Sequence, residues 1–118
     1  MYGLPSSVSL SFLEGRTLLQ VCIGLHDLIL NFDGDTTITV CSSIGYSTTF
    51  AQVKRYVDFR QSATVLCTFL GTTIRAAKNA GDGTLALEFT KGRTLHLYDD
   101  STDYESYTIK HGDQLIVV

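Results

Sequence analysis

Three histidines, three cysteines and one dense acidic stretch are the residues of this 118-residue chain best suited to chemistry. An imidazole titrates near neutral pH and ligates metals, which makes His26, His96 and His111 the first candidates for acid-base or metal work. His26 precedes Asp27, His96 falls on the outward side of a strand pattern, and His111 stands in a Lys-His-Gly-Asp turn. None has a second ligand-type residue at metal-binding spacing, and Cys22, Cys41 and Cys67 form no C-x-x-C pair. The histidines therefore read as solvent-facing turn and strand residues, and the cysteines as reduced, mostly buried thiols. Neither a metal nor a cofactor is expected.

Other catalytic signatures fail on specific positions. Asp33-Gly34-Asp35 opens like a calcium loop, but Ile44 stands where the twelfth-position Glu should be. There is no P-loop, no G-x-G-x-x-G entering a helix and no G-x-S-x-G elbow. Gly81-Asp82-Gly83 has no helix start behind it to hold a phosphate. The chain reads as non-enzymatic. The enzymatic alternative is a Ser-His-Asp or Cys-His site assembled only in the fold.

The most distinctive polar stretch is Asp99-Asp100-Ser101-Thr102-Asp103-Tyr104-Glu105-Ser106-Tyr107, with four acidic groups, two tyrosines and no basic residue. One reading is a solvated loop entering a strand, its tyrosine rings packed and their hydroxyls wet. The other is a recognition surface, because tyrosine supplies contact area and negative charge steers a basic partner. On that reading Asp99, Asp100, Tyr104, Glu105 and Tyr107 are the binding residues, with Tyr104 to Tyr107 as a strand. Lys54, Arg55 and Arg60 cluster elsewhere, and the two patches could meet between subunits.

Composition narrows the classes further. Hydrophobic residues make up 44% and charged residues 18%, which calls for either an unusually complete core or an apolar face covered by a partner. A net charge of −3 argues against nucleic acid, whose binders need a basic stripe. No apolar run approaches ~18 residues, so no membrane-spanning helix is expected. Met1-Tyr2-Gly3-Leu4-Pro5 lacks the basic start and apolar stretch of a secretory signal, so the expected location is cytoplasmic.

The elements that must position these groups come as an internal repeat. Leu28-Ile29-Leu30-Asn31-Phe32 recurs as Leu85-Ala86-Leu87-Glu88-Phe89, and Ile38-Thr39-Val40 as Leu95-His96-Leu97. Period-two alternation makes each a hairpin, with turns at Asp33-Gly34 and Lys91-Gly92. Thr17 to Ile23 and Thr72 to Lys78 read as a third strand in each half. Leu19, Val21 and Ile23 correspond to Arg75, Ala77 and Asn79, which suggests a central or covered strand in the first half and an edge in the second. Val8 to Leu13 reads equally as a short helix or as a single turn or 3₁₀ piece, while Leu66, Phe69 and Leu70 before Gly71 mark a short helix ending near Leu70. Ala51 to Arg60 fits strand or helix, with strand favoured before Arg60 and helix after it, and overlays Tyr107 to Val117.

Gly15-Arg16-Thr17-Leu18-Leu19-Gln20-Val21-Cys22-Ile23-Gly24, Asp27 to Asp33, Phe69-Leu70-Gly71 and Tyr104 to Ile109 together resemble a family of small bacterial proteins of unknown function. The resemblance implies a bacterial, cytoplasmic protein and transfers no catalytic residue. Proteins of this kind are similar to those in mobile gene cassettes and to immunity factors beside toxin genes.

The expected fold is α+β and mainly antiparallel β: two pseudo-symmetric strand-hairpin units sharing one core, with one short helix. A single domain is expected over residues 1–118, its repeat at about 12–60 and 69–118. The expected function is a non-enzymatic interaction module that self-associates or binds a protein partner, of immunity type in one version. The alternative is a small-ligand or cryptic hydrolase pocket between the two halves.

Overall fold

A computed structural model describes residues 3–5, 8–49 and 52–118. Met1, Tyr2, Phe50 and Ala51, on which parts of the sequence reading fall, lie outside the described residues. The described residues form ten strands in two five-stranded antiparallel sheets, with one short α-helix, as the α+β reading expects.

The first half supplies β1 (Leu18–Ile23), β2 (Leu28–Phe32), β3 (Thr36–Val40), β4 (Ile44–Thr48) and β5 (Lys54–Tyr56). Helix α1 (Ala63–Cys67) follows, and the second half supplies β6 (Ile74–Asn79), β7 (Leu85–Phe89), β8 (Arg93–Leu97), β9 (Tyr107–His111) and β10 (Gln114–Val117). In β2, β3 and β7 every second residue is buried, because a strand's side chains alternate between core and surface. The first hairpin turn lies one residue later than predicted, and the second falls at Lys91-Gly92 as predicted. Positive φ falls at Gly34 (67°) and Asp35 (55°), and at the equivalent Lys91 (70°) and Gly92 (70°), so each loop has three residues.

The halves exchange hairpins. The first sheet has the order β1-β2-β3-β9-β10, and the second, read from its equivalent edge, β6-β7-β8-β4-β5. Val40 faces Tyr107 and Ile38 faces Ile109, as Leu97 faces Ile44 and Leu95 faces Tyr46. This corrects two expectations. Each half contributes five strands instead of three, and β9–β10 matches β4–β5 instead of overlaying residues 51–60. The match leaves one large difference. The link from β8 to β9 spans residues 98–106, whereas its counterpart from β3 to β4 spans only residues 41–43.

A local two-fold relation joins the sheets where β1 and β6 begin. Thr17 and Thr73 face each other in an antiparallel bridge. Around them Gly15 N–H donates to Ile74 O (2.8 Å) and Gly71 N–H to Leu18 O (2.9 Å), the same bond made twice. Each strand then bulges, β1 between Leu18 and Gln20 and β6 between Ile74 and Ala76.

The bulge overturns the predicted status of β1, which is an edge strand like β6. It takes Leu19 out of register and leaves it 61% exposed, while Val21 and Ile23 oppose the core residues Leu30 and Leu28.

One hydrophobic core lies between the sheets and holds 24 buried apolar residues among those described, which accounts for the high apolar content. At its centre the equivalent rings of Phe32 and Phe89 stack at 6.4 Å, and Phe69 meets Phe89 edge-on at 4.9 Å. The helical segment begins as a 3₁₀ turn at Phe59–Ser62, which Asp58 caps by accepting from Arg60 N–H at 3.0 Å. Helix α1 stops at Cys67, short of Leu70, and the chain turns out through Gly71 (φ 82°). Ser11–Leu13 is a single 3₁₀ turn, one of the two forms left open there. Among the described residues no helix is long and apolar enough to cross a membrane.

Candidate functional site

The long link of residues 98–106 folds over its short counterpart, and the two enclose one side of an open cleft of about 290 Å³. Asp100, Ser101 and Tyr104 come from the long link, and Cys41, Ser42 and Ser43 from the short one. Leu25 and His26 enter from the β1–β2 turn, Val57 follows the end of β5, and Phe59 opens the 3₁₀ turn. Both halves of the chain therefore wall the cleft.

Ser106 organises the long link. Its carbonyl accepts from Cys41 N–H (2.8 Å) and Ser42 N–H (3.1 Å), and its N–H donates to Val118 O (2.6 Å). Its buried hydroxyl donates to Asp99 Oδ1 (2.8 Å) and accepts from Ser101 N–H (3.1 Å). Sequence reasoning missed this residue, because a serine between Glu105 and Tyr107 carries no sign of its partners. A second clasp lies at the rim. Arg55 pairs with Asp100, whose carboxylate also accepts from Ser43 Oγ (2.5 Å). Arg55 Nε donates to Ser43 Oγ (3.1 Å), and the guanidinium lies 4.2 Å over the Tyr98 ring. The Arg55 and Asp100 side chains are 49% and 37% exposed, so the pair adds at most about 1 kcal/mol and serves mainly to place the loop.

The five candidate binding residues separate. Asp100 and Tyr104 line the cleft, and Tyr104 is 53% exposed. Glu105 is exposed beside them, and Asp99 is half-buried against Ser106. Tyr107 departs from the prediction. Its side chain is wholly buried within the chain and its hydroxyl donates to Gly83 O at 2.7 Å, so it anchors the loop. Burial pushes its phenol far above the usual range and holds it as a neutral donor. Residues 104–106 are loop, and the strand begins at Tyr107.

The basic cluster is also dispersed. Arg55 meets the acidic link within one chain, Arg60 pairs with Asp58 at 2.9 Å, and Lys54 lies 5.3 Å over the Tyr56 ring. One contact between the basic and acidic patches, Arg55 with Asp100, is made within the chain.

Burial raises the Cys41 pKa, and the charges of Asp27 and Glu105 raise it further, so the sulfur stays a thiol and a poor nucleophile. Ser43 directs its hydroxyl proton at a carboxylate already held by a guanidinium. Among the described residues no group of three or more His, Cys, Asp or Glu could hold a metal ion.

Two histidines are less exposed than predicted. The His111 ring stacks on Phe12 at 4.8 Å and shares a 2.8 Å hydrogen bond with Thr36. His96 shares one of 2.9 Å between its Nε2 and Ser47 Oγ, and burial lowers its pKa. The unfolded chain then takes up a proton below about pH 6.5 that the folded chain resists, so stability falls as pH drops through that value. Urea unfolding at pH 7.5, 6.5 and 5.5 should show the loss, and His96→Gln should flatten it. An equal slope in both proteins would dismiss His96 as its source.

The fold and the cleft define a pseudo-symmetric antiparallel β protein whose two sheets exchange hairpins and whose one long link walls a polar, apolar-rimmed cleft. A family model matches residues 10–118, and the chain belongs to that family, DUF6188, a family of unknown function. No curated protein and no solved structure matches the chain significantly.

Proposed function

We propose that the protein is a non-enzymatic recognition module that holds a basic, apolar-flanked segment of a partner protein in the cleft beside residues 98–106. One observation carries this reading: exposed apolar side chains line the cleft, and further carboxylates stand close to it. Leu25 (65% exposed), Val57 (79%) and Tyr104 (53%) line the cleft and offer contact area; the charges of Asp27 and Glu105 act on Cys41 in its wall, and exposed Asp103 adjoins Tyr104 in sequence. Arg55, the cation at this rim, is neutralised by Asp100. A surface of that kind attracts a cationic segment and buries its apolar flanks. An immunity protein facing a basic toxin would use the same mode. A small polar ligand is the second reading, favoured by His26 and Asp100 lining one cleft.

Panning a phage-displayed random-peptide library against the immobilised protein tests the proposal. Enriched peptides should pair Lys or Arg with apolar residues. The exposed double variant Asp103→Lys/Glu105→Lys should weaken them at least about tenfold, with binding to the parent falling as salt rises. Enriched peptides without basic residues, or binding indifferent to the charge reversal, would dismiss it.

A further inference from the structure

Four strands lie at the edges of the two sheets, β1 and β10 in the first, β6 and β5 in the second. An open edge offers unpaired N–H and C=O groups to any other strand, so soluble proteins blunt their edges with bulges or charges. Three of the four edges are blunted in this way. β1 and β6 each carry a bulge, and β5 carries Lys54 and Arg55. β10 has neither device: its register with β9 runs unbroken from Gln114 to Val117, and it holds no proline and no charged residue. We propose that β10 is the surface through which two copies of this chain associate, their β10 strands pairing antiparallel to join two sheets into one.

The register fixes which backbone groups are free. Ile116 lies opposite Ile109, and Val118 N–H donates to Tyr107 O (2.9 Å). Gln114, Ile116 and Val118 therefore direct their backbone groups at β9, and the alternate residues Leu115 and Val117 direct theirs away from it. Among the described residues no loop or further strand bonds them there. The side chains of the same two residues are 61% and 36% exposed, while Ile116 between them joins the core. The edge is open in its hydrogen bonds and apolar on its outer face.

A second copy fits this edge because the edge is self-complementary. Antiparallel pairing about a two-fold axis at Ile116 sets Leu115 opposite Val117 of the second copy, and Val117 opposite its Leu115. Both residues then exchange N–H and C=O bonds with their opposites, and aliphatic side chains meet across the joint. With no charge on β10, symmetric pairing opposes no like charges. The equivalent edge β5, paired with itself, would bring cations together. A symmetric joint of this kind closes on itself and stops at a dimer. A four-residue strand pair buries less than the roughly 1,200 Å² of a standard interface, so half-association is expected at about 10–300 μM. No residue lining the cleft belongs to β9 or β10, so the inference stands apart from the proposed recognition role.

The test is sedimentation equilibrium of the full chain from about 5 μM to about 1 mM, with amide hydrogen exchange followed by NMR at both ends of that range. The average mass should rise toward that of a dimer. The Leu115 and Val117 amides should exchange about threefold more slowly in the concentrated sample, while the Ile116 amide changes little. The exposed double variant Leu115→Lys/Val117→Lys should weaken association at least about tenfold. A protein that stays monomeric to about 1 mM would overturn the proposal, whatever other strand the edge accepts. A dimer whose Leu115 and Val117 amides exchange at the monomer's rate, or one indifferent to the two lysines, would overturn it as well. The exchange measurement uses the parent chain, so it decides the matter independently of how the lysines affect folding.

Discussion

Replacing Phe69 with alanine is expected to cost about 3–5 kcal/mol of stability, the range for truncating a buried aromatic ring. Phe69 is wholly buried and meets Tyr46 at 5.7 Å and Phe89 at 4.9 Å, both edge-on. Phe89 in turn stacks on Phe32 of the other sheet, so one ring links the helical turn to both halves. The Arg93 guanidinium also packs on its face. The cavity left by alanine is bounded by strands whose registers are locked by their own ladders, so little collapse is available to fill it. At this chain length the loss corresponds to a fall in Tm of roughly 10–20 °C. The neighbouring Leu70 is 43% exposed and provides the control, with Leu70→Ala changing stability by no more than about 0.5 kcal/mol. Urea unfolding of both variants decides the matter. A loss near 1 kcal/mol for Phe69→Ala would mean that the sheets are held together elsewhere.

Gly83→Ala is expected to cost about 2–4 kcal/mol, from backbone strain and a steric clash acting together. Gly83 has φ +88°, a conformation unfavourable for a residue with a Cβ. A Cβ there would lie 2.5 Å from Asp99 Oδ2 and 2.8 Å from Asp99 Cβ. Relieving that overlap moves Asp99 off Ser106, and with it the loop that walls the cleft. It also disturbs the Gly83 carbonyl, the acceptor for the Tyr107 hydroxyl. Gly81 separates the two contributions: its φ is +93°, yet nothing lies within 4 Å of its would-be Cβ. Gly81→Ala should therefore cost only the strain, about 1 kcal/mol. Equal losses for the two variants would show that Asp99 does not pack against this turn as described.

The limits of the sequence appear where register matters. Leu19, Val21 and Ile23 alternate correctly on paper, yet a single bulged residue separates Leu19 from the other two. Tyr104 and Tyr107 are both tyrosines beside acidic residues, and composition treats them alike. Tyr107 is buried because β9 pairs with β3 so that it faces Val40, a contact with a residue far away in the chain. The cleft was half legible. Asp100, Tyr104 and Glu105 could be read as surface groups from their charge and polarity. Arg55 as the partner of Asp100, and Ser106 as the hub of the link, could not be read, since side-chain partners at such separations leave no local signal.

What the sequence by itself determined are the properties that repeat within a few residues: the two hairpins, their glycine-bearing turns, the short helical segment and the acidic link. These follow from period-two burial and from the φ angles that particular residues tolerate. The tertiary structure alone decided that β4–β5 and β9–β10 change places, that Tyr107 turns inward, and that residues from both halves meet around one open cleft. Alternation tells a strand which face to bury but not which strand to lie beside. That choice is made by the burial gained when all ten strands pack at once.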